Sequence, residues 1–109
     1  MSTNIRRVIV YGDSLLLTGV RHSLETCPDL EILVLDPDLK EPFETIQAYC
    51  PAAFIFDLDA IQPDFQLSLL QLPGLHLIGI DPEAHQALVW SGRQAAAVQV
   101  ADLISIIRS

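Results

Sequence analysis

The segment PAAFIFDLD, residues 51–59, is the part of this chain that says most about its fold. Five consecutive apolar residues, from Ala52 to Phe56, run directly into an acidic turn that begins at Asp57. A strand that is apolar at every position, rather than at alternate ones, is typical of a parallel sheet covered on both faces. The segment therefore predicts a central, buried strand with helices packed on either side of it.

Strands and helices alternate in both directions from this central strand. The other predicted strands are Arg7–Tyr11, Glu31–Leu35 and Leu75–Ile80. The first predicted helix begins after a cap at Asp13 or Ser14 and ends before Pro28. The others are predicted at Glu41–Tyr49, Asp64–Gln71 and Ala101–Arg108. This order predicts an α/β fold with a mainly parallel sheet built from right-handed crossovers. The 109 residues suit a single domain, 1–109.

The segment before the last helix allows two structures. One is a helix at Glu83–Trp90 followed by an edge strand at Ala95–Gln99. The other is a hairpin with its turn at Ser91-Gly92 and its strands at Ala87–Trp90 and Gln94–Gln99. Val89 and Trp90 favour the strand, whereas Glu83, Ala84 and Gln86 favour the helix. The hairpin is preferred.

Composition excludes several classes of function. The chain has 14 acidic and 6 basic residues and a net charge of -8, so phosphate backbones repel it and nucleic-acid binding is not expected. No segment approaches the ~20 apolar residues of a membrane span, and no leader pattern is visible. Cys27 and Cys50 match no metal or redox spacing and are predicted to be separate thiols. We expect a cytoplasmic protein that binds neither membrane nor cofactor.

Two blocks of sequence resemble the receiver domains of bacterial two-component response regulators. Val8-Ile9-Val10, followed by Leu15, Gly19, Val20, Arg21 and Leu24, is similar to the first strand and helix of that family. Residues 51–58 are similar to its third strand, which ends at the phosphoacceptor aspartate, here Asp57. The resemblance implies a flavodoxin-like three-layer sandwich with strand order 2-1-3-4-5.

The chain departs from that family where phosphoryl transfer needs support. Magnesium there is held by two acids after the first strand together with the acceptor, and Tyr11 and Gly12 occupy those two positions here. Neither Ser nor Thr occurs between Gly74 and Trp90, and Gln99 replaces the family's charge-balancing lysine. We therefore expect no catalysis and no bound metal. An active receiver that uses Asp57 is the alternative.

Two further features of the sequence are a set of acidic residues at predicted strand ends and a serine in an esterase-like block. Asp13, Asp36, Asp57, Asp59 and Asp81 are predicted to gather at the carboxyl ends of the strands, where they cap helices or hold a cation weakly. Residues 10–15 also resemble the first block of the GDSL esterases, with Ser14 as nucleophile and Asp81 and His85 as its partners. The sequence lacks the other blocks of that family. Ser14 is more simply interpreted as a helix cap.

The predicted function is a receiver-like signalling module that binds a protein partner. If the hairpin forms, it replaces the fourth helix of a receiver, and its edge strand invites pairing with a second copy. The interaction face is predicted at Ala87, Val89, Trp90 and Val98. The expected partner is another protein, including a second copy in a homodimer.

Overall fold

The computed structural model describes residues 5–35, 42–60, 63–72, 74–81, 83–84, 86–91, 94–99 and 102–108. Its strands are β1 (Arg6–Tyr11), β2 (Leu30–Val34), β3 (Ala53–Asp57), β4 (His76–Asp81), β5 (Gln86–Ser91) and β6 (Gln94–Gln99). Its helices are α1 (Leu15–Glu25), α2 (Pro42–Tyr49), α3 (Pro63–Leu70) and α4 (Leu103–Arg108). These elements match the sequence predictions to within one or two residues at most ends. Residues 41 and 101, the predicted first residues of two helices, lie outside the described ranges.

The six strands form one mixed sheet of order β2-β1-β3-β4-β5-β6. Strands β1 to β4 pair in parallel, whereas β5 pairs antiparallel with β4 and β6 pairs antiparallel with β5. The predictions of a mainly parallel sheet and of the order 2-1-3-4-5 are corrected accordingly. The physical reason is loop length: only residues 82–85 separate β4 from β5, and a parallel crossover needs about a dozen residues or more.

The prediction of a hairpin, rather than a helix at Glu83–Trp90, is confirmed. Ser91 pairs with Gln94, so both belong to strands and the connection is residues 92–93. The turn therefore begins one residue later than predicted, and Gly92 itself lies outside the described residues. A hairpin suits Val89 and Trp90 because β-branched and aromatic side chains pack well on a pleated, half-buried surface.

The core is divided between the two faces of the sheet. Alternate strand residues point to opposite faces, so Val10 and Ile55 pack with α1 and α4, whereas Ile9 and Phe54 pack with α2 and α3. Residues 53–57 are buried at every position, as the central segment predicts. The core on the α1 side consists of Val8, Val10, Leu17, Val20, Leu24, Leu30, Ala53, Ile55, Ile78, Ile80, Ala87, Leu103 and Ile107.

The α2 side is the more aromatic of the two. Phe54 and Phe56 are fully buried there, and Trp90 stacks on Phe56 with ring centroids 6.1 Å apart. Gly79 makes room for this packing, because a Cβ at that position would collide with Leu58 and lie 3.1 Å from Trp90 Cζ3. The single tryptophan therefore reports on the packing of this face.

The structure also describes the two cysteines and the lengths of the helices. Cys27 is half-buried, Cys50 is exposed, and both are free thiols. Among the residues described, no helix combines the length and the apolar character needed to cross a membrane.

Candidate functional site

Asp57 is the last residue of β3, and only 3% of the residue's surface is exposed. The backbone N–H of Ser14 donates to Asp57 Oδ2 at 3.0 Å, and the Ser14 hydroxyl donates to Asp57 Oδ1 at 2.5 Å. Both carboxylate oxygens therefore accept hydrogen bonds from one residue, which precedes α1. We call this pair the Ser14–Asp57 link.

The link lies at the amino end of α1. Ser14 is the N-cap of this helix, and its Oγ accepts a hydrogen bond from Leu17 N at 3.1 Å while donating to Asp57. The first N–H groups of a helix lack partners within the helix, and the helix dipole is positive at this end. A buried carboxylate is thus placed where the backbone favours negative charge.

Gly12 makes the close approach of Asp57 possible. Its φ is +133°, a conformation that side-chain-bearing residues rarely adopt. A Cβ on Gly12 would overlap Asp57 Oδ2 and lie 2.8 Å from Asp57 Cγ and 2.9 Å from Leu17 Cδ2. The resemblance to receivers implies an acidic metal ligand at this position. In this fold, the carboxylate of Asp57 lies where such a side chain would begin.

In the strands that the structure describes, no positive charge lies in line with Asp57 on the side of β4. Strand register aligns Asp57 with Ile80, Ile80 with Ala87, and Ala87 with Val98. The three residues aligned with Asp57 across β4, β5 and β6 are therefore all apolar. Gln99, at the position where the receiver resemblance implies a lysine, lies on β6, three strands from β3 and about 14 Å away at the usual strand spacing. In a sheet of order 2-1-3-4-5 the last strand is only two strands from β3.

The predicted acidic rim does not converge on one point. Asp13 and Asp59 are exposed, and Asp81 Oδ1 accepts the N–H groups of Glu83 and Ala84 at 3.1 and 3.3 Å, which closes a local turn. In the part of the chain that the structure describes, no three His, Cys, Asp or Glu side chains are grouped to hold a metal ion. Asp36 lies outside the described residues.

Among the described residues, the side chain that accepts from the Ser14 hydroxyl is the carboxylate of Asp57. The proton of this hydroxyl is directed at Asp57, and its oxygen caps α1. His22 is exposed on α1, and His76 is the first residue of β4. His85, the predicted catalytic base of an esterase, lies outside the described residues. The geometry of Ser14 is that of a cap and a structural link.

The residues predicted as one interaction face lie on two faces of the sheet. Ala87, Val89 and Val98 belong to the α1 side, and Ala87 is fully buried. Trp90 belongs to the α2 side, where it is half-buried against Phe56. These four side chains share the hairpin but form no single surface patch.

The sequence predicted Ser14 as a helix cap and Asp57 as a carboxylate at the end of the central strand, but it did not predict the contact between them. The available signal was the Gly-Asp-Ser turn directly after β1, because the carboxyl ends of adjacent parallel strands meet at one edge. The φ of Gly12, which allows the contact, has no sequence signature beyond glycine itself.

Comparison with known proteins adds no further information on this site. No family model matches the chain, and neither the curated proteins nor the solved structures gave a significant match.

Proposed function

We propose that this protein is a cytoplasmic, receiver-like interaction module that carries no phosphoryl chemistry and acts by binding a protein partner. The observation that carries the proposal is the Ser14–Asp57 link. The carboxylate in the phosphoacceptor position is buried, and both of its oxygens accept hydrogen bonds from Ser14. The flavodoxin-like comparison rests on strands β2-β1-β3-β4, which are parallel and have helices on both faces.

Phosphoryl transfer to Asp57 would require that link to break. A carboxylate must be open to both the phosphoryl donor and Mg²⁺, and the ion needs oxygen ligands in octahedral geometry. Gly12 supplies no side-chain ligand, and the row Ile80, Ala87 and Val98 supplies no compensating charge. These features favour a structural role for Asp57.

The hairpin β5–β6 is the part of the fold that favours partner binding. It follows β4 in the chain, at the point where the receiver resemblance implies a helix, and its second strand, β6, is an edge of the sheet. Edge strands expose unpaired N–H and C=O groups that readily pair with another chain. We assign partner binding to this hairpin.

The test is incubation of the purified protein with acetyl phosphate and Mg²⁺, followed by intact-mass measurement. We expect no phosphoryl adduct under conditions in which an active receiver domain, run in parallel, is modified. The Asp57→Asn variant serves as the matched negative control. An adduct on the wild-type protein that is absent from Asp57→Asn would instead establish the alternative, an active phosphoacceptor receiver.

A further inference from the structure

We propose that two copies of this protein associate through antiparallel pairing of their β6 strands, centred on Ala97, so that two sheets become one. This inference rests on the proposed function only in locating the contact at the hairpin. It names the partner as a second copy of the chain.

Strand β6 has the features of an unprotected edge. It is the last strand in the sheet order, and its sequence QAAAVQ contains neither a charged residue nor proline. Ala96, Ala97 and Gln99 are exposed. The opposite edge, β2, is different, because it carries the exposed Glu31, which forms an ion pair with Arg7 at 3.3 Å. Proteins commonly place charges on edge strands to prevent association, and β6 has no such charge.

The charge distribution favours a second copy at this edge. The chain has a net charge of -8, so most approaches of one copy to another bring like charges together. The twelve positions of β5 and β6 contain no ionisable side chain. Two copies that meet along β6 therefore avoid the repulsion that other surfaces would produce.

Backbone geometry selects the register. In a hairpin with a two-residue connection, the closing pair, here Ser91 and Gln94, exchanges hydrogen bonds across the ladder. Alternation along the strand then directs the N–H and C=O of Ala95, Ala97 and Gln99 away from β5. A two-fold axis at Ala97 pairs Ala97 with its own copy and Ala95 with Gln99, which satisfies all of these outward groups.

Side chains at this register are compatible with close approach. Ala97 is small and lies opposite Leu88 of β5, which is half-buried. The proposed pairing therefore produces a row of Leu88 and Ala97 from one copy followed by Ala97 and Leu88 from the other. Apolar cross-strand neighbours of this kind stabilise antiparallel pairs.

The first experiment is sedimentation equilibrium of the wild-type protein over a range of concentrations. We expect a reversible dimer with a Kd on the order of 10–100 μM, which is appropriate for a small interface. The Ala97→Glu variant places two carboxylates at the two-fold axis and should weaken association by about tenfold or more. The matched control is Ala48→Glu, which adds the same charge at an exposed position of α2 and should associate like the wild type.

A mixing experiment separates loss of pairing from loss of folding. Ala97→Lys alone should also weaken the dimer, but an equimolar mixture of Ala97→Glu and Ala97→Lys should form a heterodimer at least as tight as the wild-type dimer. A wild-type protein that remains monomeric at about 1 mM, tenfold above the upper Kd, would overturn the inference. So would equal association of Ala97→Glu and Ala48→Glu. Either result leaves the phosphodonor test, and thus the proposed lack of phosphoryl chemistry, unaffected.

Discussion

Replacement of Ser14 with alanine removes the hydroxyl that joins β3 to α1. That hydroxyl makes two contacts: it donates to Asp57 Oδ1 and accepts from Leu17 N. The backbone N–H of Ser14 still donates to Asp57 Oδ2 in the variant, so one bond of the link persists. The substitution therefore measures the hydroxyl's contribution without removing the carboxylate.

The expected loss follows from these two contacts. Removal of an N-cap side chain costs about 1 kcal/mol, and a hydrogen bond to a charged group contributes about 1.5–3 kcal/mol. Because Asp57 is 3% exposed, little water can replace the missing donor. We expect the free energy of unfolding to fall by about 3 kcal/mol, which lowers the Tm by roughly 10–20 °C in a domain of this size.

The assay is equilibrium unfolding in urea, followed by the fluorescence of Trp90, the only tryptophan. The matched control is Ser23→Ala, an exposed position in the same helix, where alanine's helix propensity should leave stability unchanged or raise it by about 0.5 kcal/mol. Ser14→Asp separates the two contacts, because aspartate is a good cap but sets a second carboxylate against Asp57. We expect it to be at least as destabilised as Ser14→Ala.

Two outcomes would contradict this role of the Ser14 hydroxyl. If Ser14→Ala and Ser23→Ala differ by less than about 0.5 kcal/mol, the hydroxyl bonds contribute no net stability. If Ser14→Asp is as stable as the wild type, capping alone explains the serine and Asp57 does not depend on it.

Two further predictions concern other described positions. Gly12→Ala should destabilise the protein by about 2–4 kcal/mol because of its positive φ and its overlap with Asp57. Gly19→Ala, in open space on α1, should stabilise it by about 1 kcal/mol, and equal effects in urea unfolding would contradict the proposed packing. The pKa of the Tyr49 phenol is raised, first by burial and then by the charge of Glu31. The stability that this shift gives the folded protein is therefore present below the ordinary pKa of tyrosine and is lost as pH rises through the raised pKa. Glu31→Gln should lower this pKa in a tyrosinate absorbance titration assigned with Tyr49→Phe, and an unchanged titration would exclude the proposed charge effect.

Much of the architecture follows from local sequence patterns. The apolar run that ends at Asp57 predicts a buried strand because strands covered on both faces are typically apolar at every position. Ser14 predicts a helix start because its side chain satisfies an N–H group that the helix cannot. Such features depend on residues close together in the chain, so the sequence alone is sufficient to predict them.

The candidate site depends on contacts that local patterns do not contain. Ser14 and Asp57 are 43 positions apart, and they meet because β1 and β3 are adjacent and end at the same edge of the sheet. The division of the hairpin residues between two faces likewise depends on strand register, since a shift by one residue moves a side chain to the opposite face.

The strands, the helices and the preference for a hairpin could therefore be predicted from the chain alone, because periodicity, capping and turn residues act over a few positions. The folded structure was needed to show that the hairpin residues divide between two faces of the sheet and that the carboxylate of Asp57 is bound by Ser14 beside Gly12. The physical reason is that strand order and register bring distant residues together through packing of the whole sheet.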